Sequence, residues 1–124
     1  MNYADDLGRP AAHDALSADA IVSAWLSAFE SALASGNADA VANLLTQDGN
    51  WRDVLAFTWH LKPTVGAKAI AKGLVARQPA VQAQGFEISS DRTPPRRVKR
   101  LGRDCIETLY QFGTKVGRGE GLLR

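Results

Sequence analysis

Cysteine is almost missing from this 124-residue chain. Cys105 stands alone, so no disulfide forms within the chain and no cysteine cluster holds zinc. That usage fits a reducing, cytoplasmic setting. Histidine is nearly as scarce: only His13 and His60 are present, too few and too far apart for a local histidine metal site or a nucleophile–histidine pair. Long apolar runs are lacking too, and none approaches the roughly 18 residues that span a bilayer. The first residues carry Asp5, Asp6, Arg9 and Pro10 in place of an apolar core, so they do not read as a secretory signal. A net charge of +2 is too small to require nucleic acid or a membrane as partner, and neither is expected.

What remains is an ordinary globular composition, 45% apolar and 23% charged, at the length of one domain. Residues 1–16 lack periodicity and read as a flexible arm, which leaves 17–124 as the folded domain. Ser17 is placed to cap a helix, with Asp19 in its first turn. Ile21, Trp25, Phe29 and Leu33 recur every fourth residue beside Val22 and Leu26, an amphipathic stripe. Ser35-Gly36 ends that helix, and Asn37 caps a shorter one that buries Val41, Leu44 and Leu45.

Asp48-Gly49 is a turn, after which the period changes. Trp51, Asp53, Leu55, Phe57 and Trp59 share one parity, so extended structure is expected in at least the first half of 50–59. Pro63 and Gly66 punctuate the approach to a third helix carrying Ile70 and Leu74, with Pro79 marking its end. Phe86 and Ile88 suggest a strand over 85–90. Val98 and Leu101 lead to a hairpin at Gly102, followed by a strand with Ile106, Tyr110 and Phe112 on one face. Gly117, Gly119 and Gly121 are expected to loosen a turn before a strand begins at Leu122. Helices followed by antiparallel strands make an α+β fold, without βαβ alternation.

Asp53 is the residue with the most chemical promise. A carboxylate among aromatics is desolvated, and a desolvated carboxylate is a candidate general base; ketosteroid isomerase uses an Asp base in such a setting. The competing reading makes Asp53 structural, paired at a strand end, and perturbed carboxylates are found in both settings. His60, next to Trp59 in sequence, is of the residue type that changes charge near neutral pH; a rim or surface position is expected for it ahead of a catalytic one. Trp51, Phe57 and Trp59, with Trp25 and Phe29, either line a ligand cavity or form core. Gly117-Arg118-Gly119-Glu120-Gly121 lacks the strand–loop–helix context of a dinucleotide fingerprint and reads as a glycine-rich hairpin. Arg92, Arg96, Arg97, Lys99, Arg100 and Arg103 form one basic run without interleaved aromatics, which points to a solvated strand or a docking face for an acidic partner, not to nucleic acid.

The segments Trp25-Leu26-Ser27-Ala28-Phe29-Glu30, Ser35-Gly36-Asn37-Ala38-Asp39-Ala40 and Asp48-Gly49-Asn50-Trp51-Arg52-Asp53 occur in an order that resembles the cone-shaped α+β domains of the nuclear transport factor 2 kind (SnoaL-like domains). Trp51-Arg52-Asp53-Val54-Leu55-Ala56-Phe57-Thr58-Trp59 is more particular. It is similar to the N-terminal domain that precedes the flavin and nicotinamide modules in a group of bacterial and fungal flavin-dependent monooxygenases. Gly66 to Ile70, Arg92-Thr93-Pro94-Pro95-Arg96 and Val116-Gly117-Arg118-Gly119 agree with that group, and the likeness covers roughly residues 18–124. His60 departs from it, standing where the group has Asp.

The resemblance implies three helices on a curved sheet forming a half-barrel, with further strands expected past Arg124. It also implies FAD and NADPH on downstream domains, with none held by this chain. Three functions follow as expectations. The first is an accessory domain of such a monooxygenase, inactive alone, with the flavin domain as partner in cis. The second is a stand-alone binding or isomerase-like protein holding a small hydrophobic ligand and using Asp53. The third is a homodimerisation module without ligand.

Overall fold

The structure, a computed structural model, describes residues 17–54, 56–58 and 63–124. The expected arm at 1–16, and Leu55, Trp59 and His60, lie outside the described residues. The elements are α1 (Ala18–Ser35), α2 (Ala38–Ala42), β1 (Asn50–Arg52), β2 (Pro63–Val65), α3 (Ala67–Val81), β3 (Gln84–Ile88), β4 (Arg96–Arg100), β5 (Arg103–Gly113) and β6 (Arg118–Leu123). This is the expected α+β order, helices and then antiparallel sheet.

Helix α1 starts where Ser17 Oγ accepts the Ala20 N–H at 3.0 Å, and it stops at Gly36 in the left-handed region, φ 71°. Its stripe of Val22, Leu26, Phe29 and Leu33 is buried. Asn37 caps α2 by accepting the N–H groups of Asp39 and Ala40. Helix α3 does not end at Pro79 as the sequence suggested. It runs through to Val81, because the end is fixed further on: Gln82 turns left-handed and its N–H returns to Gln78 O at 2.7 Å. The Gln78 side chain then holds both the N–H and the C=O of Ala83.

β1 and β2 form a small antiparallel pair, Asn50 opposite Val65. Among the described residues of 50–59, strand covers Asn50–Arg52, part of the first half that alternation marked. The main sheet is built on β5, which pairs antiparallel with β3, β4 and β6. The β4–β5 hairpin turns at Leu101-Gly102 as expected, both with positive φ. The register of β3 slips between Gln84 and Glu87, where Gly85 has φ 68°, and the side chain of Glu30 on α1 accepts the Phe86 N–H at 2.8 Å. That bond ties helix to sheet.

The glycine-rich segment corrects the sequence reading. The turn lies at Thr114–Gly117, where Thr114 N–H meets Gly117 O at 2.8 Å, and Arg118–Leu123 is already strand. Gly119 is directly opposite Phe112, and Gly121 is opposite Tyr110. Each aromatic ring lies over its glycine, so a Cβ at either position would overlap ring atoms. The glycines serve close approach and not looseness.

The core joins the two layers through a continuous series of rings. Trp25 stacks on Phe29 at 5.0 Å, Phe29 meets Phe86 edge-on at 5.3 Å, and Phe86 stacks on Phe112 at 4.8 Å. Phe112 packs on Phe57 at 5.9 Å, which meets Trp51 edge-on at the same distance. Phe112 is thus buried, whereas Leu122 is half exposed. Such ring pairs add about 0.5–1.5 kcal/mol each beyond the area they bury.

Candidate functional site

Between α1 and the sheet opens a cleft of about 1630 Å³. One wall is Ile21, Trp25 and Phe29 of α1, and the other is Ile106 and Tyr110 of β5 with Leu123 of β6. Trp51 and Phe57 close one end. The volume exceeds the roughly 300–1,000 Å³ of enclosed small-molecule pockets, as befits an open groove. The aromatic cluster is therefore both core and lining: Phe29, Phe57 and Phe86 are buried in the core and also border the cleft.

The polar groups that reach this cleft are few. Trp25 is oriented by its indole N–H, which donates to Leu44 O at 3.0 Å and leaves its ring against Phe29. Tyr110 is half-buried, and its phenol is pushed up from the ordinary tyrosine range, first by burial and then by the negative charge of Asp53. It is a proton donor, not a phenolate, at neutral pH. Arg97, Lys99 and Asp104 sit at the rim. Lys99 and Asp104 pair with each other at 2.9 Å, both largely exposed, an arrangement worth little.

Asp53 is 4% exposed but does not line the cleft. It follows β1 and turns inward to organise the loop after it. Oδ1 accepts the N–H groups of Ala56 and Phe57 at 3.3 and 2.9 Å. Oδ2 accepts the N–H and the hydroxyl of Thr58 at 2.8 and 3.2 Å. A carboxylate has about four lone-pair positions; these contacts occupy them all. The loop is fastened from the other side by Arg77 of α3, whose Nε donates to Phe57 O at 3.0 Å. Asp53 thereby places Phe57 between Trp51 and Phe112, at the end of the cleft.

Of the expected pocket residues, then, Trp51 and Phe57 meet at the cleft and Asp53 lies behind them. Trp59 and His60 fall outside the described residues. Among the described residues no three His, Cys, Asp or Glu side chains converge on a metal-sized space, and no helix is long and apolar enough to cross a membrane.

The sequence reading missed Glu107. It is buried at mid-sheet and bonded by three arginines: Arg96 at 3.4 Å, Arg100 at 3.0 Å and Arg124 at 2.6 Å. Hydrogen bonds from Arg124 and Arg100 hold its carboxyl down at about 2. The signal was available in principle, since the hairpin at Gly102 sets Arg96 opposite Glu107. The remaining basic run is paired as well, Arg92 with Glu120 and Arg103 with Asp48.

No family model matches this chain, and no curated protein matches it.

Proposed function

We propose that this chain is a non-catalytic accessory domain of the nuclear transport factor 2-like (SnoaL-like) kind, of the sort that precedes the flavin module in flavin-dependent monooxygenases. Its cleft takes an apolar group of the substrate or of a neighbouring domain. The cone-shaped half-barrel belongs to the same proposal. Support comes from the order of elements and from the large cleft between α1 and the sheet.

The observation that carries the reading is the state of Asp53. An acid–base enzyme needs a carboxylate with a free lone pair facing its substrate. Here the lone pairs are consumed by the loop 53–58, and the cleft is bordered by Trp25, Trp51, Phe57, Ile106 and Leu123. Burial of apolar surface, at about 25 cal/mol per Å², is what such walls offer a ligand.

The chain's own residues do not fit a dinucleotide. A pyrophosphate needs exposed glycine backbone leading into a helix N-terminus. Gly119 and Gly121 are instead in strand β6 beneath the rings of Phe112 and Tyr110. FAD and NADPH accordingly belong, on this reading, to other domains.

The reading of the coding sequence beyond Arg124 tests the proposal. A flavin-binding module in the same frame supports it. A stop codon there, together with a chain that turns over a small substrate by itself, overturns it.

A further inference from the structure

Strands β4 and β5 carry a charged arrangement around Glu107, which does not line the cleft although Arg124 of the same cluster borders it. Glu107 on β5 is directly across from Arg96 on β4. The carboxylate is 10% exposed, while the arginine side chains around it, Arg96, Arg100 and Arg124, are 57, 43 and 51% exposed. Three guanidiniums thus surround one carboxylate, leaving two positive charges uncompensated within the cluster. Arg96 and Arg124 each present one nitrogen to Glu107. A guanidinium has five N–H donors in a fixed fork, so most of theirs are turned elsewhere, towards solvent.

We infer that this arginine cluster is a docking surface for an acidic polypeptide segment. Glu107 shows which ligand these forks accept, namely a carboxylate bound from more than one side. It also holds Arg100 by two bonds, at Nε and at a terminal nitrogen, so that the side chain is pre-ordered before a partner arrives. Charge complementarity favours a chain of carboxylates over nucleic acid. The aromatic rings of this sheet, Phe86, Tyr110 and Phe112, pack with one another in the core and give bases no stacking platform on this face. Arg124 also borders the cleft, so Arg96 and Arg100, which do not, carry the inference.

The test uses the whole 124-residue chain and fluorescein-labelled octaglutamate as probe, followed by anisotropy at low salt. Arg96→Gln and Arg96→Glu are the informative variants, because Arg96 is exposed and its bond to Glu107 is long, so the fold survives its loss. Lys72→Gln, on exposed α3, is the control. The expected result is saturable binding that weakens about fivefold in Arg96→Gln and further in Arg96→Glu, with Lys72→Gln unchanged. Three results would overturn the inference. One is absence of binding, or equal loss in the control. Another is tighter binding of duplex DNA or anionic phosphatidylglycerol vesicles than of octaglutamate. The third is a dimer in sedimentation that Arg96→Glu dissolves, since the face would then be covered by a second copy.

Discussion

Asp53 holds Phe57 in place through its backbone: Oδ1 accepts the Phe57 N–H at 2.9 Å in a buried hydrogen bond. The four hydrogen bonds that this carboxylate accepts all come from residues 56–58. Removing it takes the acceptor from the buried Phe57 N–H and from the part-buried N–H groups of Ala56 and Thr58. Asp53→Ala should destabilise the fold by roughly 3 kcal/mol, and Asp53→Asn by about 1–3 kcal/mol, since an amide NH₂ would face the Thr58 donors. Urea unfolding at neutral pH measures both. A change within about 0.5 kcal/mol for Asp53→Ala would remove the loop-organising role.

The glycines of β6 make a sharper pair. Gly119→Ala and Gly121→Ala should each cost about 1–3 kcal/mol, because a Cβ overlaps the Phe112 or Tyr110 ring and neither can move without disturbing the core. At Gly117 a Cβ meets nothing within 4 Å, so Gly117→Ala should stay within about 0.5 kcal/mol. Thermal unfolding of the three variants checks the ranking; equal effects would show that the rings do not lie over the strand.

Acid sensitivity should trace to Glu107. Its carboxyl is lowered in the fold from 4.5 to about 2 by hydrogen bonds from Arg124 and Arg100. A depressed carboxyl stabilises the fold fully above its unfolded value, and the stabilisation is lost as pH falls from about 4.5 to about 2. Melting temperature across that window should fall steeply in the native chain and less steeply in Glu107→Gln. Parallel curves would place the acid-sensitive group elsewhere.

Much of the fold was legible in the sequence because the signals were local. Ser17, Gly36 and Asn37 cap helices where their chemistry says, and the four-residue spacing from Ile21 to Leu33 marks the face of α1. What failed depended on partners distant in sequence. Extended structure was expected through at least the first half of 50–59, and β1 stops at Arg52, where Asp53 turns to bond the N–H groups of residues 56–58. Gly119 and Gly121 looked like turn residues because the rings above them belong to another strand. Pro79 looked like a stop, whereas the Gln78 and Gln82 contacts carry the helix end to Val81. The cleft was half legible: Trp25, Phe29, Trp51 and Phe57 read from the sequence as core or cavity lining, while Ile106 shows only as one face of a strand. Glu107 required knowing the β4–β5 register.

The central claim, an apolar binding cleft that works without Asp53, is tested most directly by titrating the folded chain with 1-anilinonaphthalene-8-sulfonate and following probe emission and the fluorescence of Trp25 and Trp51, which line the cleft. The account predicts saturable binding at one site. Affinity should be unchanged in Asp53→Asn, measured at a temperature where that variant is folded. It should fall at least tenfold in Ile106→Trp, which fills the cleft from β5. Non-saturable binding, or an affinity lost with Asp53→Asn and kept with Ile106→Trp, would contradict it.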